Sequence, residues 1–159
     1  MRTEEPCITL ANASPFRAYG TAKSYIEQVA INEAKRQART ELARMIKTAI
    51  DEAAMDYSQN ANQNQKGSAE TLGETISTSY LSEVVENSRV IKTDIYDLAD
   101  GSIQVYVCVE MGNGTTEEFN KKLDNTLDRE GIIGIKYDRE QFINKVKEGL
   151  EEYKKNQNR

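Results

Sequence analysis

Small apolar residues recur every three to four positions along residues 21–57. Ile26, Ala30, Ala34, Ala38, Leu42, Met45, Ile46, Ala49, Ile50 and Ala53 fall on one side of a single long helix. Thr21 or Ser24 can cap its start. The stripe is rich in alanine rather than leucine, so a sheet, another helix or a second copy of the chain can approach it closely. Further on the period changes to two. Residues 89–98 alternate through Ile91, Thr93 and Ile95, Asp100 and Gly101 make a turn, and Ile103, Val105, Val107, Val109 and Met111 alternate again. This pattern predicts a β-hairpin whose second strand shows its valines to one side and Gln104, Tyr106, Cys108 and Glu110 to the other. The long helix is the natural cover for the valine face.

The other segments are shorter. Residues 6–11 have alternating apolar positions and read as an edge strand, and residues 16–20 as a second extended piece. Residues 58–68, SQNANQNQKGS, contain one alanine and no larger apolar side chain, which predicts a mobile loop. Leu72, Ile76, Tyr80, Leu81, Val84 and Val85 suit a second amphipathic helix over residues 70–86. Thr115 or Thr116 can cap a helix with Phe119, Leu123 and Leu127 on one face. After a break at 131–135, Asp138 is placed to cap a last helix carrying Phe142, Val146, Leu150 and Tyr153. The expected fold is therefore α+β: a long alanine-rich helix packed on a small antiparallel sheet, with a helical C-terminal arm. Residues 1–112 form the expected core domain and 113–159 the arm, whose narrow apolar stripes need a partner surface.

Composition narrows the chemistry. A chain of 159 residues is long enough to bury a core without staples, but at 38% hydrophobic and 30% charged some segments must stay outside it. The net charge of −5, with cations scattered among acids, leaves no footprint for nucleic acid. No run approaches the roughly 18 apolar residues of a membrane span, and the start MRTEEPC lacks a signal-peptide core. A soluble chain is expected, cytoplasmic if this start is native and envelope-located if a leader has been removed. The complete lack of histidine removes Ser-His-Asp and Cys-His nucleophile systems and histidine metal sites, so no enzyme and no cofactor is expected.

Remaining candidates are weaker. Asp94, Asp97 and Asp100 stand three apart, not two as in a helical calcium loop, and read as a solvated turn. Lys35, Arg36, Arg39, Arg44 and Lys47 flank the long helix with acids interspersed at pairing distance, as on a solvated face. Cys7 and Cys108 are too few for a disulfide framework or a zinc site and read as buried thiols. They become neighbours if the first strand lies beside the last, where an oxidising compartment would permit a bond.

The order of parts, Arg17, Ala18, Tyr19 and Gly20, then the helix with Ala30, Ala34, Ala38, Arg39, Glu41, Leu42 and Ala43, then the strand Val105 to Val109, resembles the bacterial envelope family named for the Lpp-twenty lipoprotein. More distantly it resembles the N-terminal domain of a flagellar-ring assembly protein. The likeness spans roughly residues 15–111 and implies a long helix on an antiparallel sheet, a place in the cell envelope and no known enzymatic activity. Cys7 follows Thr3, Glu4, Glu5 and Pro6 rather than the small apolar residues of a lipid-attachment site, so no lipid is assigned to it. The resulting expectation is a non-catalytic envelope protein working through protein–protein contacts, as a homo-oligomer or within a larger complex. Its contact surface would include Phe119, Leu123, Leu127, Phe142, Val146 and Leu150 of the arm. The alternative is a small-ligand or glycan-binding module using Tyr96 and Tyr106.

Overall fold

A computed structural model describes residues 6–60, 66–84, 87–112, 114–130 and 136–157, with backbone alone at 6, 58–60, 66–70, 84, 130, 136–138 and 157. The chain runs α1 (Pro6–Asn12), β1 (Arg17–Ser24), α2 (Glu27–Asn60), α3 (Lys66–Val84), β2 (Arg89–Asp97), β3 (Ile103–Glu110), α4 (Thr116–Glu130) and α5 (Lys136–Gln157). The fold is α+β, with the long helix laid on a three-stranded antiparallel sheet of order β1-β3-β2.

The hairpin forms as its pattern predicts. Gly101 turns the chain at φ 89°, and the Asp100 carboxylate accepts the Ser102 amide at 2.9 Å, so the turn is stapled by its own side chain. Those Ser102 hydrogen bonds hold the Asp100 carboxyl below its ordinary range. β3 is central, pairing with β1 from Arg17↔Glu110 to Ser24↔Ile103 and with β2 from Arg89↔Glu110 to Asp97↔Ile103, with a bulge between Val90 and Lys92.

Alternation sends Val105, Val107 and Val109 toward α2, whose Ala30, Ala34, Ala38, Leu42, Met45, Ile46, Ala49, Ile50 and Ala53 are all buried. The alanines permit a very close approach. A Cβ on Gly20 of β1 would lie 2.4 Å from both the Ala34 carbonyl oxygen and the Ala38 nitrogen. Leu42 is completely buried in this layer, so Leu42→Ala should lower unfolding free energy by roughly 2–5 kcal/mol, read from urea denaturation. A loss below about half a kcal/mol would mean that this face of α2 is not seated on the sheet.

Several expectations change. Residues 6–11 form α1 rather than an edge strand. Cys7 and Ala11, four apart, are the buried pair, and Pro6 at the first helical position lacks only an amide that such a position leaves unbonded anyway. Ile26 precedes α2 and is 62% exposed, outside the buried stripe, while Ser24 accepts the Ile26 amide through its side chain. The polar stretch 58–68 is mostly helical backbone, since α2 runs to Asn60 and α3 begins at Lys66; residues 61–65 of that expected loop lie outside the described residues. α5 begins at Lys136, ahead of Asp138, so Asp138 is not its cap; the expected break at 131–135 and Val85 also lie outside the described residues.

The largest change concerns the arm. α5 packs along α2, and α4 sits against α3 and α5. Phe119, Leu123, Leu127, Phe142, Ile143, Val146 and Leu150 join the same buried cluster as the α2 stripe and the β3 valines. The stripes of residues 113–159 are therefore covered by the chain itself, Gly149 facing Ala49 and Phe119 packing on Phe16 and Tyr80.

Candidate functional site

The sheet has two faces, and they differ in chemistry. On the side opposite α2, the short α1 touches all three strands and covers a small second cluster of Cys7, Ala11 and Cys108, edged by Leu10, Tyr19, Ile91 and Tyr106. Both ends of α1 are tied to strand side chains. The Cys7 amide donates to Asp94 Oδ2 of β2 at 2.9 Å, satisfying one of the free donors of the first turn. At the other end Arg17 Nη1 of β1 donates to the Leu10 carbonyl at 3.0 Å. Arg17 Nε also donates to Glu110 Oε2 at 2.8 Å, and Arg89 reaches the other oxygen of the same buried carboxylate. Glu110 thus joins both outer strands to the end of β3, with each carboxylate oxygen paired to a guanidinium.

Cys7 and Cys108 are neighbours, as the placement of the first and last strands suggested, but through a helix laid across the sheet instead of paired strands. They are not bonded to each other. The Cys7 thiol hydrogen-bonds to Cys108. That bond pushes Cys7 up, with burial adding to it, and holds Cys108 below its ordinary value against the opposing effect of burial, with the positive charges of Arg17 and Lys154 acting the same way as the bond.

Tyr106 lies on this same face. Its ring meets Tyr19 at a centroid distance of 6.4 Å and Tyr96 at 5.8 Å, the second contact edge-on, so three half-buried tyrosines form a row across β1, β3 and β2. Tyr96 and Tyr106 are therefore brought together as a surface feature. The other expected contact residues are not: Phe119, Leu123, Leu127, Phe142, Val146 and Leu150 are at most 4% exposed and face the core. Their helical spacing was read correctly, but spacing cannot say whether the covering surface belongs to the same chain.

What remains open lies elsewhere. α2 rests on β1 and β3, and the side of β2 that shares its face extends beyond the helix. Val90 and Ile95, paired in register with Val109 and Val105, are 38% and 43% exposed. At the start of α2, Tyr25, Ile26 and Val29 are all more than half exposed. Sequence periodicity places Ile26 on the stripe, whereas Tyr25 and Val29 fall off the line defined by Ala30 and Ala34, and Tyr25 is one of the tyrosines able to furnish a binding surface.

Charged groups along α2 are mostly committed. Arg36 pairs with Glu33, Arg44 with Glu41, and Lys47 with Asp51 and Glu74, while Arg39 donates to Ser88 Oγ at 3.1 Å. Near its middle, Tyr153 of α5 donates a hydrogen bond to Glu41, and burial followed by that bond pushes the phenol up to about 12. The adjacent Lys154 is 7% exposed, and burial pulls its ammonium down to about 8 against the opposing charges of Cys108 and Glu41. Between about pH 8 and its ordinary value of 10.5 the unfolded chain binds the proton that the folded chain releases, so Lys154 makes stability rise with pH across that window. Tyr153 acts in the opposite direction, and its contribution is lost as pH rises from 10 through about 12. Lys154→Met should abolish the rise and add roughly 1–3 kcal/mol at neutral pH, measured by denaturation at pH values on either side of the Lys154 transition.

Among the described residues no group of three or more Cys, Asp or Glu side chains gathers as a metal site, and no helix is long and apolar enough to cross a membrane. Asp94 is used on α1 and Asp100 on its own turn, which leaves the three aspartates of the hairpin apart. No protein-family model matches the chain, and no curated protein sequence matches it.

Proposed function

We propose that the protein is a non-catalytic component of the bacterial cell envelope that works through protein–protein contacts. The observation that carries the contact reading is the group Tyr25, Ile26 and Val29, three large apolar side chains within five residues that the chain leaves in the open at the start of α2. Clustered exposure of this kind marks interaction surfaces, whereas single exposed apolar residues do not. Val90 and Ile95 on the uncovered side of β2 add a second apolar area. The envelope location rests on the family resemblance of residues 15–111. A photo-crosslinking residue at position 26, in the full chain in its own cells, should give discrete protein adducts in the envelope fraction. Cytoplasmic fractionation without adducts would remove both parts of the reading.

A second reading, a small-ligand or glycan-binding module, is favoured by the row of Tyr19, Tyr106 and Tyr96. Aromatic rows present flat apolar faces with hydroxyl tips, a surface suited to sugar rings. Saturable quenching of tyrosine emission by an oligosaccharide, abolished by Tyr96→Ala, would select this reading over the first.

A further inference from the structure

Two thiols that a contact function leaves unused lie together beneath α1. Cys7 of α1 and Cys108 of β3 are both fully buried, touch each other, and sit in a cluster separated by the sheet from the main core. We propose that Cys7 and Cys108 are a redox-active dithiol, a modification site at which the chain exchanges with low-molecular-weight disulfides and closes an internal bond between α1 and β3.

The two cysteines stand on elements of unequal rigidity. Cys108 lies in the central strand, hydrogen-bonded on both sides. Cys7 lies on a helix of seven residues whose fully buried side chains are Cys7 and Ala11, held at its ends by Asp94 and Arg17. Short elements with little buried area open locally far below the free energy of global unfolding. Lifting α1 exposes both sulfurs, and its return brings them back into contact.

Electrostatics assigns the order of attack. Besides the Cys7 hydrogen bond, which exists only while α1 is seated, the charges of Arg17 and Lys154 favour the Cys108 thiolate against burial and Glu110, so Cys108 is the nucleophile and Cys7 the resolving thiol. Cys108 attacks one sulfur of a disulfide RSSR, whose S–S bond breaks and releases RS⁻. Cys7 then gives up its proton and attacks the Cys108 sulfur of the mixed disulfide, expelling the second RS⁻. The protons from Cys7 and Cys108 end on the two RS⁻ groups. The protein sulfurs lose two electrons in total, and RSSR is reduced to two RSH.

The test uses the intact reduced chain with excess oxidised glutathione at neutral pH, followed by acid quench, alkylation in denaturant and mass analysis. The expected product is about 2 Da lighter than the reduced chain, takes up no alkylating agent, and yields one Cys7–Cys108 linked peptide. Its thermal midpoint should stand roughly 5–15 °C above that of the reduced form. Cys7→Ser should instead stop at one glutathione on Cys108, a gain of about 305 Da. Asp94→Ala, which frees the start of α1, should speed the first exchange, read as loss of free Cys108 thiol, roughly 3–30-fold. Two cysteines still alkylated after prolonged incubation, or glutathione on both without ring closure, would overturn the dithiol. An unchanged rate in Asp94→Ala would overturn the lifting of α1 as the route of access.

Discussion

Removing residues 113–159 unfolds the protein instead of releasing a stable core. α4 and α5 contribute Phe119, Leu123, Leu127, Phe142, Ile143, Val146 and Leu150 to the buried cluster, and each is at most 5% exposed. Burial of a side chain of this size contributes roughly 1.5–3 kcal/mol, so their combined loss of about 10–20 kcal/mol is as large as the 5–15 kcal/mol or so by which an ordinary domain is stable. The deletion also strips the cover from α2, exposing Ala49 where Gly149 had met it. A fragment of residues 1–112 should show reduced helicity by circular dichroism and no cooperative thermal transition. Melting of that fragment close to the midpoint of the full chain would re-establish the C-terminal helices as a separate unit.

Gly20→Val should also destabilise the fold, by the opposite mechanism. The first carbon of any side chain at position 20 meets the backbone of α2 at Ala34, Gln37 and Ala38, within 2.9 Å in every case. Backbone cannot swing aside as a side-chain tip can, so α2 must rise from β1 along its length and the packing of Leu42 and Ile46 loosens with it. Overpacking of this kind typically costs about 1–3 kcal/mol for one added group, and the branched valine should reach about 3 kcal/mol or more. Gly101→Ala provides the contrast, because a Cβ there meets nothing within 4 Å and the cost is limited to the φ of +89°. That cost is about 1–2 kcal/mol. Equal midpoints for the Gly20→Val and wild-type proteins in urea would show that α2 does not approach β1 this closely.

The legible parts of the fold were those with long repeats. Nine of the ten apolar positions at helical spacing lie in α2, with Ile26 just ahead of it, and the two alternating runs around Asp100 and Gly101 form the hairpin. Segment 6–11 was too short for period to decide: in PCITLA an alternating set and an i, i+4 set overlap, and the contact of Cys7 and Ala11 with β3 settles it as a helix. The faces of α4 and α5 were equally visible as stripes, but their partners, α2 and α3, lie tens of residues away, and a stripe carries no address. The same limit applied to the cysteines, whose proximity was expected from strand pairing and arises instead because α1 lies across the sheet. Exposure of Val90 and Ile95 was hidden because it depends on where α2 stops across the sheet, a tertiary fact with no local trace.

The register of β1 against β3 has a consequence for biosynthesis. Arg17 pairs with Glu110, so β1 must wait for nearly a hundred further residues before its partner strand exists. Among the described strands only the β2–β3 pairing is local, and α5, which also covers α2, is made later still. At roughly 5–20 residues per second that wait lasts about 5–20 seconds, during which the alanine stripe of α2 has neither sheet nor α5 against it. Alanine is well suited to this interval: it favours the helix strongly yet offers little sticky surface to other nascent chains. The residue that lets α2 approach β1 so closely in the finished protein also makes the unfinished one less prone to aggregate.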